Sequence, residues 1–167
     1  MPGASKEWIE ERNRKLLEWF NGDVEAVEFL LLISEITELW DDLIDRDVPI
    51  PDERIHSVFT KIFLVLPHQP FYRKHAGYLS PLIAQAINAW MTANQFARGT
   101  KSQRALAYTL RNVDIMIAEA IVYLTSGWQR MREVSPELWD YFGAEQDHID
   151  DWLAEPPLQP YVTEDSS

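Results

Sequence analysis

Cysteine is absent from the 167-residue chain, so neither a disulfide nor a thiolate metal site is available, and thiol catalysis is excluded. Long apolar runs are absent too. The most hydrophobic stretch, Phe29 to Ile33, gives way at once to Ser34 and Glu35, far short of a bilayer span. Residues 1–8 hold no apolar signal core and already carry Lys6 and Glu7, which predicts a cytoplasmic chain. Positive charge is scarce: 15 Lys and Arg face 27 Asp and Glu, for a net charge of -12. Such a surface repels nucleic acid and anionic membrane, and instead suits a cation, a basic protein or a metal-neutralised phosphate. No segment alternates with period two, and no Asn-Gly hairpin turn, Walker loop, GxSxG elbow or HExxH motif occurs.

What the chain has is helix punctuation. Ser5 predicts a cap for a first helix to about Phe20, stopped by Gly22, and Asp23 caps a second helix to about Arg46, broken by Val48-Pro49-Ile50-Pro51. A third helix is expected from Asp52 to just before Pro67, followed by an irregular segment, His68 to Tyr78. Ser80-Pro81 reads as the start of a fourth helix closed by Gly99, and Ser102 as the start of a fifth ending at Gly127. Residues 128–133 either continue that helix or break from it. Ser135-Pro136-Glu137 repeats the start signal for a last helix, ended by Pro156-Pro157. The expected fold is one all-α domain over residues 1–157, an up-and-down bundle of five to six helices, with a flexible acidic tail over 158–167.

Periodicity predicts the buried faces. Phe29, Ile33, Ile36, Trp40 and Leu43 form one stripe, and Leu79, Ile83, Ala86, Trp90, Ala93 and Ala97 another. The fifth helix carries two apolar stripes. Leu106, Leu110, Val113, Ile117, Ile121 and Leu124 make one, Tyr108, Ile115 and Val122 the other, which places this helix at the centre. Seven tryptophans leave material for a homodimer interface.

Chemistry concentrates in Ser34-Glu35-Ile36-Thr37-Glu38-Leu39-Trp40-Asp41-Asp42-Leu43-Ile44-Asp45. Glu35, Glu38, Asp42 and Asp45 return to one helix face at three- and four-residue steps, with Asp41 adjacent. Stacked carboxylates repel unless a cation lies among them, which suits Mg²⁺ or Mn²⁺; the same pattern is equally that of a solvated face. A second cluster, His68-Gln69-Pro70-Phe71-Tyr72-Arg73-Lys74-His75, offers Arg73 and Lys74 to a phosphate and His75 or His68 as a proton donor. There the alternative is a loop anchored by Phe71 and Tyr72. Asp114, between Val113 and Ile115-Met116-Ile117, is a candidate metal ligand or general base, or a groove-edge partner of Arg104 or Arg111. Asn94 has reach to the same interior.

Asp41-Asp42-Leu43-Ile44-Asp45 resembles the DDxxD element of class I terpenoid synthases, and the resemblance implies carboxylates holding Mg²⁺ against a diphosphate. Glu35-Ile36-Thr37-Glu38 resembles the ExxE element of the all-α NTP pyrophosphohydrolases, which implies nucleotide hydrolysis. The second acidic element of either family is missing: Asn112-Val113-Asp114 with Glu119 is mis-spaced for the first, and Glu38 to Asp41 lies on the same helix for the second. Phe29 to Asp47, Pro70-Phe71-Tyr72 and Trp90 to Asn94 resemble small uncharacterised helical proteins of tailed bacteriophages, implying an origin, with the host cytoplasm as the compartment, and no activity. Glu53-Arg54-Ile55-His56 and Glu145-Gln146-Asp147-His148 show the ExxH spacing of ferritin-like bundles, without two further glutamates on separate helices. The leading expectation is a Mg- or Mn-dependent enzyme acting on a diphosphate or nucleotide. The alternative is a non-catalytic structural or host-directed factor whose acidic face binds a basic protein.

Overall fold

Local capping explains where the first helices begin and end in the computed structural model, which describes residues 5–45, 49–143, 149–154 and 156, leaving out the side chain of Asp45. The first helix, α1 (Lys6–Trp19), starts where Ser5 Oγ accepts the Trp8 N–H at 3.2 Å. It ends in a Schellman turn: the Gly22 N–H bonds the Leu17 carbonyl at 2.7 Å and the Asn21 N–H bonds Glu18, with φ of 77° at Gly22 and 55° at Asn21. The next helix, α2 (Val24–Asp45), opens with Asp23 Oδ1 accepting the Ala26 N–H at 3.0 Å.

The third helix, α3 (Asp52–Thr60), does not simply stop before Pro67. It widens into a π turn, Lys61–Val65, and tightens into a 3₁₀ turn, Leu66–His68. The Thr60 hydroxyl takes the His56 carbonyl at 2.7 Å just before the ladder changes pitch.

Three expectations need correction. The segment 68–78 is not irregular, because α4 (Pro70–Phe96) starts at Pro70, capped by Gln69 Oε1 on the Tyr72 N–H at 2.7 Å. Ser80-Pro81 therefore lies inside α4. Its missing N–H leaves the Gly77 carbonyl four residues back without a helical donor, and Gly77 is exposed, so that acceptor is open to solvent. Ser135-Pro136-Glu137 lies inside a helix as well, α6 (Val113–Gly143). Lastly, the helix expected from Ser102 to Gly127 is two: α5 (Lys101–Leu110), opened by a Thr100–Gln103 capping box, and the first part of α6. The break at Arg111–Asn112 resets the helical phase, so Leu106 is exposed rather than part of one stripe with Val113 and Ile117.

Gly127 interrupts α6 with φ 82° and ψ 178°, a conformation open essentially to glycine alone. Its two arms, 113–126 and 128–143, run antiparallel. Glu119 Oε1 accepts both the Ser135 hydroxyl at 2.5 Å and the Trp139 indole N–H at 3.1 Å, whereas in a straight helix residues 119 and 139 would lie about 30 Å apart. A short α7 (Ile149–Ala154) follows.

The fold is thus an all-α bundle, without a strand among the described residues. Its core joins Leu16, Trp19 and Phe20 of α1, Phe29, Leu30 and Ile33 of α2, Phe71 and Leu79 of α4, and Val134 and Leu138 of the second arm. The first arm is the centre: Ile115, Ile117, Ala118, Ala120, Ile121 and Val122 are buried round all of it but the face of Met116 and Tyr123. A smaller cluster, Ala93, Ala97 and Ala107, stands apart beside Phe96, Leu110 and Trp152. No helix among the described residues is long and apolar enough to cross a membrane.

The Gly127 geometry makes a direct prediction. Gly127→Ala is expected to lower unfolding free energy by about 1–3 kcal/mol in urea titrations. Gly77→Ala, in the open part of α4, should raise it by about 0.5–1 kcal/mol. Equal effects at the two glycines would contradict the turn.

Candidate functional site

The acidic strip of α2 faces α3, and the spacing of the two helices matches. Lys61 Nζ lies 2.5 and 2.7 Å from the two carboxylate oxygens of Glu35, and Arg54 Nη1 lies 2.6 Å from Asp42, with Nη2 3.9 Å from Glu38. Glu35 and Asp42 are seven residues apart, and so are Arg54 and Lys61, in the opposite order along the chain. Seven residues are two turns, so antiparallel packing brings each acid opposite its cation. The strip is therefore neither a bare solvated face nor an empty cluster of repelling charges. Asp41 falls about 100° round the helix from Asp42, and the side chain of Asp45 lies outside the described residues. These pairs keep roughly a third of their side-chain surface in water, which limits each to about 0–1 kcal/mol.

Arg73, Lys74 and His75 occupy the first turns of α4, at the other end of α2. Gln69 Nε2 donates to the Glu25 carbonyl at 2.6 Å, fixing that end beside the start of α2. Glu35 lies ten residues further on, about 15 Å away along the helix. Arg73 and Lys74 are exposed. Phe71 and Tyr72 anchor the turn, with ring centroids 5.8 and 5.9 Å from Phe29. His75 packs 4.7 Å from the Phe71 ring, and its Nε2 is buried without a partner. Burial, then the Lys74 charge, push its pKa below the ordinary range against a smaller pull from Asp23, so the ring stays neutral near pH 7.

Asn94 is 21 residues beyond Arg73 on α4, about 30 Å away, and its Oδ1 accepts Arg111 Nη2 at 3.1 Å. It shares its end of the bundle with the strip, since Trp40 of α2 packs 5.3 Å from Trp90, one turn before Asn94. The phosphate-binding candidates and the candidates Asn94 and Asp114 thus sit at opposite ends of α4. Asp114 lies in the first turn of α6. Burial pushes its pKa up, opposed by backbone N–H groups of Ile115 and of Asp114 itself. Glu119 is held by Ser135 and Trp139. Glu53 and His56 are exposed at the start of α3, while Glu145 and His148 lie outside the described residues. Among the described residues, no three His, Asp or Glu side chains are placed to hold one metal ion.

No family model, curated protein or solved structure matches the chain. The DDxxD and ExxE likenesses accordingly rest on residues 35–45 alone. Sequence reasoning passed over Arg54 and Lys61, although their seven-residue spacing repeats that of Glu35 and Asp42. It also passed over Trp152, whose ring centre lies 5.8 Å from the Arg104 guanidinium and 5.1 Å from that of Arg111.

The Asp114 environment sets a pH dependence. With its pKa raised, the folded state keeps a proton that the unfolded chain has released, so this group's contribution to stability falls as pH rises above the ordinary carboxylate range. Asp114→Asn, which retains an acceptor for the backbone N–H groups, is expected to melt above the parent at pH 7. The gap should close by about pH 3, where both side chains are neutral. A variant melting at or below the parent at pH 7 would show that the backbone contacts outweigh burial.

Proposed function

We propose that this chain is a non-catalytic interaction module that binds a basic protein segment through the surface shared by α2 and α3. The observation that carries this reading is a contiguous apolar ridge left in solvent. Phe63 and Leu64 are 68% and 65% exposed, flanked by exposed Phe59 and Val65, on the π turn that also supplies Lys61. The Phe59 and Phe63 rings pack at 36° with centres 6.3 Å apart, so the ridge is partly ordered before a partner arrives. Apolar groups grouped this way on a soluble surface mark contact sites, and π turns recur at functional positions.

Charge selects the partner. Asp52 and Glu53 are exposed on the helix that carries the ridge, and at the α2–α3 seam Glu35, Glu38 and Asp42 outnumber Arg54 and Lys61, so acidic charge remains in excess after internal pairing. A helix with one basic and one apolar face meets both features: its apolar anchors cover Phe63 and Leu64, and its Lys or Arg side chains meet the surplus carboxylates. The metal-dependent diphosphate enzyme is the competing reading. It requires a divalent ion to displace Lys61 from Glu35 and Arg54 from Asp42, and it requires Arg73 and Lys74 to act from the far end of α4.

A fluorescent Lys/Leu amphipathic peptide of about five turns is the probe, with a Glu/Leu peptide as its control. The Lys/Leu peptide is expected to bind in the micromolar range, to weaken as salt rises from about 0.05 to about 0.3 M, and to lose at least about tenfold in affinity in Phe63→Asp/Leu64→Asp. Unchanged affinity in that variant overturns the assignment. A melting-temperature rise with Mg²⁺ or Mn²⁺ that disappears in Glu35→Gln/Asp42→Asn moves it to the metal enzyme.

A further inference from the structure

Away from the main core, the end of α4 and α5 form a slot against which α7 packs. Ala93, Ala97 and Ala107 form its floor, and Arg104 and Arg111 flank it. Trp152 of α7 fills it, its ring centre 5.8 Å from the Arg104 guanidinium carbon and 5.1 Å from that of Arg111. The indole N–H donates to the Arg104 carbonyl at 3.0 Å, and the Arg104 guanidinium donates to the carbonyls of Trp152 and Leu153. Arg111 donates to Asn94 Oδ1. Among the described residues, every acceptor here is neutral.

That is an unusual way to keep two guanidiniums in so acidic a chain. Arg104 is only 6% exposed, and the Nε atoms of both arginines are buried without a hydrogen-bond partner. Among the described residues, neither has a carboxylate within ion-pair distance. Asp114, three residues after Arg111, is not drawn down by it, and Asp150 and Asp151 of α7 are exposed. Buried cationic donors left without an anion are costly, and such groups in native folds call for an explanation. The plug itself is weakly held in its own right: α7 has six residues, below the length at which a helix sustains itself.

We infer that this slot is a binding site for a planar aromatic ring bearing an anionic group, and that α7 is an internal plug which the ligand displaces. Trp152 places its ring within reach of two guanidiniums, a position that a base or indole takes equally well. The carbonyl oxygens of Trp152 and Leu153 stand where the oxygens of a phosphate or carboxylate would take Arg104 and supply the missing charge. The site lies apart from the α2–α3 surface and does not depend on the function proposed there.

Four probes separate the components: AMP and indole-3-acetate carry both ring and anion, adenosine carries the ring, and inorganic phosphate carries the anion. In Trp152→Ala, AMP or indole-3-acetate is expected to bind at least about tenfold more tightly than to the parent, by isothermal titration. Adenosine and phosphate should bind neither protein measurably, and Arg104→Met in the Trp152→Ala background should abolish binding. AMP against indole-3-acetate reports whether phosphate or carboxylate is preferred. In the unmutated protein, the bound probe should speed hydrogen exchange of the α7 amides, a readout that holds even if Trp152→Ala folds poorly. Equal affinity in parent and Trp152→Ala, binding of phosphate or adenosine alone, or no binding by either two-part probe overturns the inference.

Discussion

The reversal at Gly127 is the constraint on which the bundle rests. It folds the two arms of α6 against each other, so that the first arm packs against α2, α4 and its own second arm and is buried on every face but the one carrying Met116 and Tyr123. A half-buried carboxylate at Glu119 ties the arms by accepting from Ser135 and Trp139. Burying apolar surface on most sides of one helix requires neighbours on most sides. A single glycine at φ 82° supplies one of them without a loop.

The parts of this fold that are legible in the sequence are those decided within a few residues. Ser5, Asp23 and Gly22 act at the ends where their side chains, or the lack of one, predict, and Gly127 ends a helical run as expected. Misreading comes where a local signal is overruled by its surroundings. Ser80-Pro81 and Ser135-Pro136 carry the residues of a helix start, yet both sit inside helices. The Ser80 hydroxyl meets Tyr72 at 3.0 Å and that of Ser135 meets Glu119, so neither caps a backbone N–H. The true start of α4 depends on Gln69, an unremarkable capping residue whose amide also grips the Glu25 carbonyl, a contact 44 residues away in sequence.

The candidate site was legible as a composition and not as an arrangement. Carboxylates gathered over residues 35–45 are plain in the sequence, but what they do depends on which helix packs against them. Once α3 lies antiparallel to α2, Arg54 and Lys61 fall opposite Asp42 and Glu35 by equal spacing. A cluster that suggested a missing cation then holds two cations of its own. Likewise, the basic run Arg73-Lys74 looked like part of one site with Asp114 only while the length of α4 was unknown. Two ends of a 27-residue helix do not converge on one substrate.

The balance of charge also changes which residues carry information. Acids are abundant, mostly exposed, and paired at distances where water screens them, so each contributes little to stability and is tolerated wherever solubility is served. Cations are the minority, 15 against 27 acids, and two arginines are placed where screening is weak and desolvation costs most. Stability alone does not favour that placement, since apolar side chains beside Ala93, Ala97 and Ala107 would fill the same space without stranded donors. A chain that sets two guanidiniums beside one indole, and covers them with a helix of six residues, places scarce positive charge where stability does not call for it. In this protein the strongest pointer to ligand chemistry therefore lies with the minority charge, in the slot behind Trp152, more than with the acidic strip that dominates the sequence.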